Sequence, residues 1–202
     1  MTVGKPRKVE TIALSPELLR VAYARGLFPM PHPDTGVLMW FRPDPRAVFP
    51  LDGFHCSRSL ARTLRGARFA VTFDSAFAEV MRRCGDRAEG TWITQSFHDA
   101  YGALHRQGDA HSVEVWRGEQ LVGGVYGVAL GGGFFAESMF HAERDASKVA
   151  LFHLVERLRA RGFVLLEAQF MTPHLASLGA IEISDRLYRT RLAAALEARA
   201  SF

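Results

Sequence analysis

Residues 110–141 read AHSVEVWRGEQLVGGVYGVALGGGFFAESMFH, and this stretch decides the fold. Ser112-Val-Glu-Val-Trp116 and Leu121 to Leu130 are apolar, β-branched runs on either side of the polar turn Arg117-Gly118-Glu119-Gln120, which predicts paired strands. Phe134 to Phe140 extends the pair into a meander. The period then changes. Asp145 stands where it would cap a helix whose apolar stripe is Leu151, Leu154, Val155 and Leu158. Gly162 ends that helix, and Phe163 to Phe170 reads as another strand. Strands, a helix and a strand in this order predict an α/β chain of the α+β kind, a mixed sheet with helices against it.

Working outward, Ile181-Glu-Ile183 reads as a short strand and Asp185 to Ala198 as a last helix. Upstream, Ser15-Pro16-Glu17 followed by Leu19, Ala22, Tyr23 and Gly26 is a capped amphipathic helix with a glycine stop. The proline-dense segment from Leu27 to Pro50 excludes a long helix and predicts irregular chain with short extended pieces. Ser57 to Leu64 reads as a helix and Phe69 to Phe73 as a strand. Phe77, Val80, Met81 and Cys84 mark one face of a helix ending at Gly85. Phe97, Tyr101 and Leu104 mark another that stops near Gly108.

No apolar run reaches the roughly 18 residues of a membrane helix, and the start, MTVGKPRKVE, lacks the apolar core of a secretory signal. A cytoplasmic protein without a membrane partner is expected. Cys56 and Cys84 lie far apart with no Cys or His at ligand spacing, so neither a disulfide framework nor a metal site is expected. The net charge is +4, and arginines gather in the first half at 42, 46, 58, 62, 65, 68, 82, 83 and 87. Charge alone leaves open whether they meet a polyanion or form a solvated surface.

Period-two alternation along Phe163 to Phe170 puts Leu165, Glu167 and Gln169 on one face. Two polar groups on a core face are either strand-end groups satisfied by backbone or a catalytic pair at a cleft. Glu137, between Phe134-Phe-Ala and Ser-Met-Phe140, poses the same alternative. Gly123-Gly124 and Gly131-Gly132-Gly133 lack the GxGxxG or GxxxxGK[ST] spacing of a nucleotide loop and read as hairpin or bulge glycines. There is no GxSxG elbow, no HExxH and no Cys with an obvious His partner, so covalent catalysis and metal hydrolysis lack support. His111 and His174 are unassigned and read as structural.

Four blocks in one order carry a resemblance: Trp40-Phe-Arg-Pro-Asp-Pro-Arg46, Gly90-Thr-Trp-Ile93, Ala110-His-Ser-Val-Glu-Val-Trp116 and Glu137-Ser-Met-Phe140. With Ala146-Ser-Lys148, Gln169 and Ala176-Ser-Leu-Gly-Ala180, the chain resembles the leucyl/phenylalanyl-tRNA-protein transferases from about Leu19 to the last helix. The resemblance implies transfer of Leu or Phe, less well Met, from aminoacyl-tRNA to proteins beginning with Arg or Lys, in the N-end rule degradation pathway. It implies a small N-terminal domain, here 1–66, joined to a larger GNAT-like domain, 67–202. No cofactor is implied, and a monomer is expected. The missing nucleophile then makes sense. An aminoacyl ester is already activated, and the incoming α-amine mainly needs deprotonation and alignment.

By resemblance, Gln169 orients the amine and relays its proton, and Glu167 stands where the family usually has Asp. Glu137 engages the aminoacyl end of the tRNA or the cationic acceptor. Val125, Phe134, Met139, Leu154 and Leu166 line the pocket for the transferred side chain, with Tyr101 and Ser138 also at the substrate. Trp40 and Trp92 stack on the terminal adenosine, and Arg42, Arg46, Arg58, Arg62 and Arg65 grip the tRNA. Three places depart from the family's pattern: Phe41-Arg42 for Trp-Ser, Ala136 for Gly, and Thr172-Pro173 for an Asn-Asp-like turn. Two alternatives remain, an acyl-CoA-dependent N-acetyltransferase of the same fold and a tRNA- or peptide-binding module without catalysis.

Overall fold

The computed structural model describes residues 14–32, 37–86, 91 and 93–202. In chain order its elements are α1 (Pro16–Ala24), β1 (Phe28–Pro31), β2 (Leu38–Phe41), β3 (Arg46–Phe49), α2 (Arg58–Arg65), β4 (Ala70–Phe73), α3 (Phe77–Gly85) and α4 (Gln95–Arg106). They continue with β5 (Ala110–Arg117), β6 (Gln120–Leu130), β7 (Gly133–His141), α5 (Ala146–Ala160), β8 (Leu165–Glu167), α6 (Pro173–Ser177), β9 (Ile181–Ile183) and α7 (Asp185–Glu197). Local chemistry explains several boundaries. The hydroxyls of Ser15, Ser57, Thr172 and Ser184 accept the first free amides of α1, α2, α6 and α7. Asp145 behaves differently from its expected role. It sits at the head of α5 with φ 69°, makes no cap hydrogen bond, and pairs instead with Lys148 and Thr63.

The meander β5-β6-β7 forms the centre of a seven-stranded mixed sheet ordered β4-β5-β6-β7-β8-β3-β9. Neighbours are antiparallel except β7 and β8, which α5 joins as a parallel crossover. On one face lie α1, α3, α4 and α7, around Leu19, Tyr23, Val80, Tyr101, Tyr126 and Tyr188. On the other lie α2 and α5, around Leu60, Val113, Val125, Leu154 and Leu166. Gly123 permits the close seat of α5, since a Cβ there would stand 2.6 Å from that of Ala146. Among the described residues no helix is long and apolar enough to cross a membrane.

β3 departs from the expected split at residue 66. Residues 46–49 form an interior strand of the large sheet, between β8 and β9, while β1 and β2 make a separate hairpin. A buried ion pair joins this strand to β8. Arg46, 0% exposed, sets its Nη1 2.5 Å from Oε1 of Glu167 on β8 and donates from Nη2 to the carbonyl of Gly26 at 2.7 Å. The second Glu167 oxygen accepts from the Tyr188 hydroxyl of α7 at 2.5 Å. The guanidinium also lies 4.3 Å from the Tyr188 ring centre and 5.3 Å from that of Phe28. Burial pushes the Glu167 pKa up, and Arg46 and Tyr188 oppose that push. Removing one member leaves the other charge uncompensated in the core. Arg46→Ala is therefore expected to lower the unfolding free energy by roughly 3 to 5 kcal/mol. Adding Glu167→Gln should return part of that loss, measured by urea titration, and a double variant as weak as the sum of the singles would disprove the coupling.

Candidate functional site

The site exists because two parallel strands part. β7 and β8 pair only from Gly133–Leu165 to Phe135–Glu167. Beyond that point β7 runs on to His141, whereas the chain after Glu167 turns away. Ala168 N–H donates to the carbonyl of Ala47, Ala47 N–H donates to that of Gln169, and Gln169 takes φ 55°. The wedge between the strands is a cleft of about 370 Å³. Its walls are Phe28, Pro29 and Met30 of β1, Phe49 of β3, Val125 of β6, residues 136–139 of β7, Leu151 of α5, and residues 168–170, Thr172 and Leu175.

Glu137 enters the cleft through a bulge. Gly127 pairs with Ala136 and Tyr126 with Ser138, so Glu137 has no partner in the ladder. The extra residue re-aims the carboxylate toward α1 and α4. Its Oε1 accepts from the Tyr23 hydroxyl at 2.5 Å and from Gln169 Nε2 at 3.1 Å, and its Oε2 accepts from the Tyr101 hydroxyl at 3.2 Å. The two phenol oxygens stand 2.5 Å apart. Burial raises the Glu137 pKa from its ordinary 4.5 to about 8, against the pull of these hydrogen bonds. Burial, with the Glu137 charge second, holds both phenols well above 10. With its amide nitrogen spent on Glu137, Gln169 has a carbonyl oxygen left to accept a proton donor in the cleft.

Among the residues expected at the site, Glu137, Gln169, Val125, Ser138 and Met139 meet on its walls. Tyr101 is 0% exposed and acts from behind, by holding Glu137. Phe134, Leu154 and Leu166 are core residues under the cleft and not part of its lining. Glu167 does not share the face of Gln169 as alternation implied. The strand ends at Glu167, which is 1% exposed and turned to Arg46 and Tyr188. Arg46 is corrected likewise, because a buried guanidinium bonded to Glu167 and Gly26 reaches no phosphate. Arg58, Arg62 and Arg65 are exposed on α2, and exposed Arg42 lies 3.6 Å from Asp185. Trp40 packs half-buried against the core on β2 and does not line the cleft. Trp92 lies outside the described residues.

Sequence reasoning missed Tyr23, which sits on the buried stripe of α1 like any core residue. It also missed the β1 wall, Phe49, Leu151 and Phe170, the last 42% exposed at the mouth and edge-on to Phe28 at 5.6 Å. Their only sequence signal is hydrophobicity, which core and pocket share.

A family model described as Leucyl/phenylalanyl-tRNA protein transferase matches residues 48–193, and one described as that family's N-terminal domain matches residues 13–44. The join between them falls at β3. A leucyl/phenylalanyl-tRNA–protein transferase of Herpetosiphon aurantiacus is 53% identical over 95% of this chain and 100% of its own. One of Cereibacter sphaeroides is 56% identical over 94% of this chain and 89% of its own. A solved structure of FemX, 13% identical, overlaps 86% of this chain and 70% of that one with a TM-score of 0.48. With both models in chain order and identity above half along nearly its whole length, the chain belongs to the leucyl/phenylalanyl-tRNA protein transferase family.

Proposed function

We propose that this chain transfers leucyl or phenylalanyl, and less readily methionyl, from aminoacyl-tRNA to the α-amine of proteins beginning with Arg or Lys. The observation that carries the reading is the pairing of Glu137 and Gln169 at the wall of an apolar cleft. The transferred side chain fits against Val125, Met139, Leu151 and Leu175, a surface that discriminates by size and shape. The acceptor amine meets the Gln169 carbonyl oxygen and Glu137. An α-ammonium has a pKa of about 7.7 to 8.0, so a carboxylate held near 8 takes its proton with little free-energy difference. The amine nitrogen then bonds to the ester carbonyl carbon, the carbon–oxygen bond to the ribose breaks, and the ribose oxygen leaves with the second amine proton. No enzyme-bound acyl group is formed, and no cofactor enters. The exposed arginines Arg58, Arg62 and Arg65 suit the phosphates of the tRNA. Protein degradation through the N-end rule pathway, in the cytoplasm, is the corresponding role.

The decisive assay supplies leucyl- and phenylalanyl-tRNA with peptides beginning with Arg, Lys or Ala, and acetyl-CoA as a parallel donor. Transfer from tRNA to the Arg and Lys peptides alone supports the reading; acetyl transfer would replace it with an acetyltransferase. Gln169→Ala is expected to lower kcat by roughly 10²-fold while tRNA affinity stays near wild type, because the amide aligns the reacting groups. Glu137 also sets a pH signature of stability. Its folded pKa lies above the unfolded value, so its contribution is full below pH 4.5 and is lost as pH rises through about 8. Across that window it should tilt the unfolding free energy downward by up to about 1.4 kcal/mol per pH unit. Glu137→Gln, which cannot ionise, should flatten the tilt in urea titrations, and an unchanged slope would show that the carboxyl titrates normally.

A further inference from the structure

Three nitrogen-bearing side chains neighbour wall residues of the cleft along the chain, on the side covered by α5, and the reaction described above gives them no task. His141 ends β7 two residues beyond Met139 of the wall, and strand alternation keeps the two on one face. Lys148 lies one turn before Leu151 of the wall on α5. His174 stands on α6 between the wall residues Thr172 and Leu175. A strand, a long helix and a short helix thus each carry one such group next to a residue of the wall. Burial, then the charges of Lys148 and His141, hold the His174 pKa below the usual imidazole value, as expected of basic groups kept close together.

Asp145 anchors the group without covering it. Its carboxylate, with only 9% of the side chain exposed, holds Lys148 Nζ at 3.0 Å and takes a further contact from the Thr63 hydroxyl at 3.4 Å. The lysine side chain remains 34% exposed. Ser147, 3% exposed, places its hydroxyl 3.5 Å from Nδ1 of His141 and so steadies an exposed ring. Two imidazoles and one ammonium, carried by separate elements and close enough for Lys148 and His141 to act on His174, offer several N–H donors, which suits an oxyanion.

We infer that His141, Lys148 and His174 form a phosphodiester site that holds the single-stranded 3′ end of the donor nucleic acid just outside the cleft. This rests on the reading of the cleft as an aminoacyl-tRNA site. The ester lies against Glu137 and Gln169, and His141 lies four steps along the strand from Glu137, roughly 13 Å at about 3.3 Å each. That distance is within reach of the first phosphates behind the ester. Contacts of this kind fix register and carry no sequence reading, which suits an enzyme that accepts more than one tRNA. The exposed α2 arginines, none of which lines the cleft, serve the double-stranded stem.

The test compares two donors, leucyl-tRNA and 3′-O-leucyl adenosine, which has no phosphate. In the variant carrying His141→Ala, Lys148→Ala and His174→Ala, the loss in kcat/KM with leucyl-tRNA is expected to exceed that with the nucleoside by roughly tenfold, mostly in KM. The slope of log Kd against log salt for tRNA binding should flatten by about one. Lys148→Gln, which removes the charge and keeps a polar side chain, gives a smaller loss of the same kind and guards against a triple variant that fails to fold. Equal losses with both donors, or no loss with tRNA, overturn the phosphate site while leaving the functional reading intact. A wild-type chain that transfers from neither donor overturns both. Inorganic phosphate is the third arm: competition with leucyl-tRNA supports the proposal, and shifts of the His141 and His174 resonances without competition assign the site to free phosphate and overturn it.

Discussion

One buried guanidinium ties the molecule together. Arg46 reaches from β3 to the carboxylate of β8, to the carbonyl at the end of α1 and to the ring of Tyr188 on α7, all out of contact with water. An ion pair so placed adds little net stability, because the loss of hydration offsets the attraction, yet it strongly disfavours every arrangement that leaves either charge alone. Its effect is therefore to select a register. With Val48 opposite Glu167 and Phe49 opposite Leu166, β3 becomes an interior strand, and the hairpin that precedes it is carried to the edge of the cleft. The β1 wall, the turn at Gln169 and the wedge between β7 and β8 all follow from that choice.

The architecture was legible in the sequence wherever periodicity was long. The four apolar positions read from α3 are its four buried residues, and the meander appears within a residue or two of its expected bounds. The site was harder to read for reasons that can be named. Alternation assumes a continuing strand, so it placed Glu167 and Gln169 together; the chain leaves β conformation after Glu167 and separates them. A bulge shows no period either, and only the observed pairing identifies Glu137 as its extra residue. Arg46 misled because arginine in a basic stretch reads as surface, while its partner lies 121 residues away. Phe134, Leu154 and Leu166 were expected to line the pocket and pack beneath it instead, and sequence holds nothing to say which side of the core surface an apolar residue occupies.

The electrostatics of the cleft follow from packing as well. Glu137 accepts from two tyrosines that are themselves buried, so the donors are neutral and fixed, and no cation lowers its pKa toward the ordinary carboxylate range. Glu167, two residues before Gln169, is compensated by Arg46 and withdrawn from the cleft. The same residue type thus stands in two settings, one at the cleft wall with a raised pKa and one as part of the frame, and the neighbours decide which.

The left-handed turn at Gln169 narrows which residues that corner can ever hold. A positive φ excludes β-branched side chains and is easiest for glycine, asparagine and aspartate. The contact with Glu137 asks for an amide that donates from one atom and leaves an acceptor on the other, which glycine and aspartate cannot supply. Asparagine meets both demands but is one methylene short of reaching Glu137. Two independent filters, one on the backbone and one on the side chain, intersect at glutamine. A substitution at this corner therefore gives up either the backbone turn or the contact with Glu137.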